Sequence, residues 1–289
     1  MIGSQRRDGL ALIAPLTAFR LALLGFPLVA DIVYSLSAVD FQTIRSPTFI
    51  GLGNYGEALA DPALWRAAWF SLRFALLAAT AQVLIGLTLA IFLAPILNRY
   101  PWLMALLMLP MMVAPALVGL MYRLILHEFV GVVPYYLYLW LGDSPSFLSP
   151  ATAFRTLVTI EVLQWTPFAL LILYTAYVAI GSEVREAARI DGAGEWAMLW
   201  RIDLPLMLPT IGIAFFIRFI DSFRVFDNVY TLTGPGAGGS TTTMSIYIYE
   251  TFFRRGEIGV AVAASLLLLV ASFLLLKLVE QLSQSRVAA

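Results

Sequence analysis

The sequence predicts an all-α integral membrane protein that crosses a bilayer six times. Three observations carry that reading. The 289 residues are 61% hydrophobic and only 12% charged, about half the charge typical of a soluble domain. Mean hydropathy is +0.86. Apolar stretches at 10–37, 68–97, 102–126, 152–180, 207–230 and 257–280 each reach the roughly 20 residues needed to cross a hydrocarbon core about 30 Å thick. A segment in lipid must satisfy its own backbone, so each stretch is expected to be a helix. A net charge of zero gives no field for nucleic acid. The absence of cysteine excludes disulfides, thiolate metal sites and cysteine nucleophiles.

The first stretch follows Arg6 and Arg7. It is too long for a signal peptide, Arg20 interrupts it, and Ser35-Leu36-Ser37 is a poor cleavage site; it is expected to remain as a span. Placing the N-terminus inside puts Arg6, Arg7, Arg99, Arg185, Arg189, Arg201, Lys277 and Arg286 on the cytoplasmic side. Arg45, Arg66, Arg123, Arg155, Arg254 and Arg255 then lie outside, so the inner side holds the majority. An even number of spans returns the C-terminus to the cytoplasm. The outer connections, near 38–67, 127–151 and 231–256, carry the turn formers "GLGNYG", "GDSPS" and "GPGAGGS". Pro110, Pro115 and Pro167 fall inside spans and should bend them or free carbonyls. With no repeat and no linker, residues 1–289 read as a single transmembrane domain.

The longest cytoplasmic connection, 181–206, holds charge and glycine amid apolar runs. "EVREAARID" (183–191) suits a short helix in which Glu186 and Arg189 can pair at i, i+3. Gly192 is its natural stop. Glu195 to Arg201 suits a second short helix with Trp196 and Trp200 on one face, and Pro205 should mark where the fifth span begins. The segment reads as a helix-glycine-helix elbow, able to fill a groove on a partner or to stand as a solvated loop.

Glu186, Ala187 and Ala188, then Asp191-Gly192, then Ile202 and Leu204-Pro205 resemble the full EAA signature of ABC importer permeases. "FIGLGNY" (49–55), "LNR" (97–99), "WTPF" (165–168), "FDNVYTLTG" (226–234) and "YIY" (247–249) resemble motifs of that family's carbohydrate-importing branch. One departure is "TGPGAGG", where the family has three glycines and then proline. The resemblance implies the type I importer permease architecture, with the elbow as the coupling helix that docks into an ATPase. It implies the first of two permease subunits, a second permease as partner, two copies of an ATPase carrying ATP and Mg, and an extracytoplasmic solute-binding protein. It also implies the bacterial cytoplasmic membrane as location, and no cofactor or metal on this chain.

A phosphate-binding loop needs Gly-Lys-[Ser/Thr], and the one lysine, Lys277, lies between leucines. His127 is the sole histidine, which excludes histidine triads and two-histidine zinc sites. Polar groups at membrane depth remain, and these default to functional candidates. They are Glu161, Gln164, Trp165 and Phe168 in span four, and Arg218, Asp221, Arg224, Asp227 and Asn228 in and after span five. Of these, Gln164, Trp165, Phe168, Arg218, Asp221 and Asn228 are the candidate solute pathway. The charges spaced by three in span five read either as a structural ion ladder or as part of a cavity wall. An ion-coupled secondary transporter would use the same groups but should show two related halves, which the sequence lacks. A non-transporting anchor would not need Arg218, Asp221 and Arg224 in mid-span.

Overall fold

The computed structural model of the chain describes residues 14–234 and 236–287. Arg6, Arg7 and the start of the first predicted span at 10–13 lie outside the described residues. So do Pro235 of the glycine-rich loop, the Arg286 side chain and residues 288–289. Among the described residues, five helices are long and apolar enough to cross a membrane, or six when a pair bent by 79° is counted as one span.

Two compact units emerge, one formed by residues up to Trp65 together with Tyr247–Val270, the other by Arg66–Ile246 and the residues from Ala271 onward. The divisions fall inside helices rather than in linkers.

In the first unit, α1 (Ala14–Ser35) ends at a two-residue antiparallel ladder of β1 (Ser37–Ala38) with β2 (Thr48–Phe49). Asn54, at the start of α2 (Gly53–Ala60), explains that end. Its amide donates to Ser35 O at 2.9 Å, a carbonyl that the finished helix leaves open, and to Ser37 O of β1 at 2.8 Å. Gly259 lies against the same spot, where a Cβ would stand 2.6 Å from both the Asn54 amide and Ser37 O. Asp61 accepts from Tyr247 at 2.9 Å and Arg255 at 3.1 Å. Burial, that hydrogen bond and the nearby carboxylate push the Tyr247 phenol up to about 12, so it stays the proton donor.

The second unit is built on α3 (Pro62–Arg99), about 57 Å long at helical rise, and α7 (Ala153–Ala179). These helices nearly touch at Gly86, where a Cβ would lie 2.9 Å from Ala169 Cβ and Leu170 N. Small residues admit such approach between membrane helices.

The third predicted span, 102–126, is not one helix. α4 (Trp102–Met112) and α5 (Pro115–Ile125) meet at 79°. Pro115 forbids a helical conformation to the residue before it, and Val113 and Ala114 are extended with ψ of 132° and 133°.

The fifth predicted span, 207–230, also differs. α9 (Glu195–Phe223) starts in the elbow and stops at Phe223, and α10 (Asp227–Thr233) is a separate helix. Asp227 and Asn228 therefore do not continue the face of Arg218, Asp221 and Arg224. The second elbow helix is not separate either. It runs through a π-helical stretch, Leu199–Asp203, into the span. That wider stretch precedes Pro205 and absorbs the backbone hydrogen bond it cannot make.

α10 packs along α5. At Gly119 a Cβ would meet Thr231 Oγ1 and lie 2.7 Å from Asn228 O, so only glycine fits. After Ile125 the chain forms α6 (Val132–Leu141), and α8 (Ser182–Ile190) follows α7. Beyond α10, α11 (Met244–Tyr249) leads into a π-helical turn and then α12 (Ile258–Val287).

Candidate functional site

Two apolar clusters fill the second unit. One joins Phe70, Phe74, Leu157, Ile160, Val229 and Leu232, the other Val83, Ala90, Ala169, Leu170, Leu173 and Met207. In sequence, Glu161 and Gln164 fall between the α7 members of these clusters, and Gln82 between those of α3. A polar layer lies there, about 12–16 Å from the Ala153 end of α7 at helical rise.

Glu161 is its hub, and it is buried with a side chain 2% exposed. Its carboxylate accepts Arg218 Nη2 at 3.0 Å, Ser222 Oγ at 3.2 Å and Asn228 Nδ2 at 2.7 Å. Arg218, 1% exposed, also donates to Gln82 Oε1 at 2.8 Å and Asp221 at 3.3 Å. Gln82 in turn donates to the Glu161 carbonyl at 3.1 Å. A charge taken from water persists only when paired and hydrogen-bonded, and this network meets both conditions. Asp221 also pairs with Arg224 at 3.5 Å, and both are about half exposed, at 48% and 55%.

The same layer holds the two broken helices. Gln164 Nε2 donates at 3.1 Å to Val113 O, a carbonyl released by the α4–α5 bend. Asn228, in the first turn of α10, is tied to Glu161. Carbonyls opened after α9 are met by hydroxyls, Ser245 on Arg224 O and Thr243 on Val225 O, each at 2.9 Å. One face of α7 therefore pins two breaks through residues three apart.

The six candidate pathway residues come together around this layer but do not share one surface. Gln164, Arg218 and Asn228 are buried, Trp165 and Phe168 are half-buried, and Asp221 is exposed. The Arg218 guanidinium covers one face of Trp165, its Cζ 4.5 Å from a ring centroid. With all three of its nitrogens hydrogen-bonded and its side chain enclosed, Arg218 ties α7 to α9 rather than standing open. Gln164 Oε1 and Asn228 Oδ1 are buried acceptors without a partner among the described residues. Sequence reading missed Gln82, Ser222, Thr243 and Ser245. Gln82 had a signal, a lone amide within an apolar run. The hydroxyls had none, because the breaks they serve were not foreseen.

The elbow has its own geometry. α8 closes with Gly192 at φ +81°. Gly192 N reaches Arg189 O at 3.0 Å and Ala193 N reaches Ala188 O at 2.9 Å, the paired bonds of a Schellman end. The expected Glu186–Arg189 ion pair does not form among the described residues. Arg185 instead reaches buried Asp203 at 3.1 Å and Tyr177 O at 3.1 Å, fixing the elbow to the end of α7 and the base of α9. Glu186, Ala187, Asp191, Gly192 and Pro205 are exposed, Ile202 and Leu204 half-buried, and Ala188 buried. Ile190, Trp196 and Trp200 present apolar surface beside them, Ile190 being 87% exposed. Exposed apolar surface next to charge marks an interaction site.

Residues 82–287 match the family model described as "Binding-protein-dependent transport system inner membrane component". The chain is 33% identical over 253 residues to a probable ABC transporter permease protein y4oQ of Sinorhizobium fredii, covering 87% of this chain and 82% of that one. It is 32% identical over 273 residues to the trehalose/maltose transport system permease protein MalF of Thermococcus litoralis, covering 93% and 92%. The fold matches a chain of the bacterial alginate ABC transporter, solved in complex with an alginate pentasaccharide-bound periplasmic protein. That match has a TM-score of 0.79 at 22% identity and covers 99% of this chain and 97% of that one.

Proposed function

The chain belongs to the family of binding-protein-dependent transport system inner membrane components, multi-pass permease subunits of ABC importers, and on that premise we propose that its solute is a sugar or sugar derivative. The likeness to a trehalose/maltose permease over 92% of that protein supports the solute class. We further propose that a second permease, two ATPase copies and an extracytoplasmic binding protein complete the importer, with both termini of this chain in the cytoplasm. The ATPases hold ATP and Mg. Their closure rocks the permease pair from inward-facing to outward-facing around a central site, and the elbow transmits the movement.

The observation that carries the solute path is the pair of unpartnered acceptors at mid-depth, Gln164 Oε1 and Asn228 Oδ1, beside the half-buried rings of Trp165 and Phe168. Sugars are held by hydrogen bonds to planar amides and by apolar ring faces. The half-buried ring of Trp165 and the Gln164 amide supply both kinds of group on adjacent residues. Asp221, half exposed, adds an acceptor at the rim. Arg218 contributes by holding Trp165 from behind.

Gln164→Ala and Trp165→Ala should each lower sugar uptake about tenfold, the loss of about 1.4 kcal/mol of solute interaction, while ATP hydrolysis without solute persists. The measurement is radiolabelled sugar uptake into proteoliposomes bearing the whole complex. Uptake at the unmodified level in both variants would remove these residues from the path.

A further inference from the structure

α6 has no place in the transport scheme, and its surface needs an occupant. Its ten residues, "VVPYYLYLWL", include three tyrosines and a tryptophan and no charge. One side is used, since Val133 packs on the upper cluster and Pro134 is buried. The other side is bare: Val132, Tyr135, Tyr136, Leu139 and Trp140 are exposed, Trp140 to 75%. Tyr136 stands between Tyr135 and Trp140, with ring centroids 5.4 and 5.8 Å away. The hydroxyls of Tyr135, Tyr136 and Tyr138 have no hydrogen-bond partner among the described residues.

The height of this helix is set by Gly131. A Cβ there would lie 2.5 Å from both Ile125 O and His127 O, so the residue entering α6 is pressed against the last turn of α5. Gly131 N also bonds His127 O at 2.8 Å. α6 therefore starts directly against the end of the bent apolar pair α4–α5. The exposed stripe of α5, Leu117, Leu120, Met121 and Leu124, continues through Phe129 and Val130 into α6. Polar residues bracket it, His127 and Glu128 before and Asp143 after, all exposed.

We propose that α6 is an interfacial helix that lies in the headgroup region of the outer leaflet, with the Tyr136–Trp140 side turned to lipid. Tyr and Trp favour that depth because an apolar ring and a polar tip are both satisfied there. A face of this size with no charge, turned to water, would invite association. A site for a soluble partner would be expected to carry a polar rim on the helix itself, and α6 carries none. The leaflet named follows from the orientation proposed above; the contact with lipid does not depend on it.

The chain contains no cysteine, so a nitroxide can be placed at one position without clearing others. Trp140→Cys and Tyr136→Cys, with Asp143→Cys as the aqueous reference, are labelled in the full importer complex in phosphatidylcholine–phosphatidylglycerol vesicles. Collisions with oxygen and with a water-soluble nickel chelate are then compared. Oxygen should dominate at Trp140 and nickel at Asp143, with Trp140 about 5–10 Å inside the interface. Tyr136, on the same side of the helix, gives the same reading if the Trp140 variant does not assemble. Nickel dominating at both aromatic positions overturns the proposal. Nickel access lost only when the binding protein is added assigns the surface to that protein, and loss only with sugar assigns it to solute. Either result also overturns it. Sugar uptake failing in these vesicles would count against the transport reading and leave the depth measurement intact.

Discussion

Glu161→Ala should destabilise the assembled permease by about 3 kcal/mol, the low end of the cost of removing one partner of a buried ion pair, since Asp221 still pairs with Arg218. The reason is the position of Arg218. Its guanidinium is 1% exposed and would keep the Gln82 amide, the Trp165 ring and, as its remaining counter-ion, half-exposed Asp221. Asn228 and Ser222 would lose their acceptor as well, and α10 its tie to α7. Arg218→Met alone should be comparably harmful, because Glu161 would then be a buried charge without a counter-ion. The double variant Glu161→Met with Arg218→Met removes both charges and should be less damaging than the sum of the singles by more than about 1 kcal/mol. Thermal unfolding of the purified complex, followed by loss of its size-exclusion peak, measures all three. Strictly additive losses would show that the two side chains do not act as a pair.

The second large effect is expected at the elbow. Ile190 is 87% exposed and makes no part of either apolar cluster, so Ile190→Asp should leave the fold and the spans unchanged. If its surface is the anchor for an ATPase subunit, the charge should weaken that contact by about 2 kcal/mol, some thirtyfold in affinity. Gly192→Val acts on the backbone instead. No atom lies within 4 Å of a Cβ there, but φ is +81°, so a β-branched residue is strained without any clash. Both variants should purify with less ATPase subunit and show sugar uptake near background. Full ATPase content together with full uptake in both would disconnect the elbow from energy coupling.

Much of this architecture could be read from residues alone. Apolar runs long enough to cross a bilayer located four of the crossings to within about six residues, because a single segment in lipid must satisfy its backbone as a helix. The fifth begins 12 residues before its predicted start and ends 7 before its predicted end, and the third is a bent pair. Gly192 as the end of α8 was equally legible, since no other residue takes a positive φ without penalty. The breaks were less so. Pro115 announced a bend, yet nothing local gave its 79° angle, which depends on Gln164, 51 positions away, holding Val113 O. The stop after Phe223 has no proline or glycine to mark it and rests on hydroxyls from Thr243 and Ser245. Arg218 was visible as a costly charge in mid-span, but its direction was not, because Glu161 and Gln82 come from other helices. Asn54 stood within a recognisable motif, and only the structure assigns it the carbonyls of Ser35 and Ser37.

The most direct test of the account is contact between the elbow and the ATPase. A benzophenone maleimide placed on Ile190→Cys, in a chain with no other cysteine, is irradiated within the complete importer, with Val130→Cys as the control on another connection. The account predicts an adduct with the mass of this chain plus one ATPase subunit from position 190, none from position 130, and a yield that changes when ATP is bound. No ATPase adduct from position 190 in a complex that still takes up sugar would contradict it.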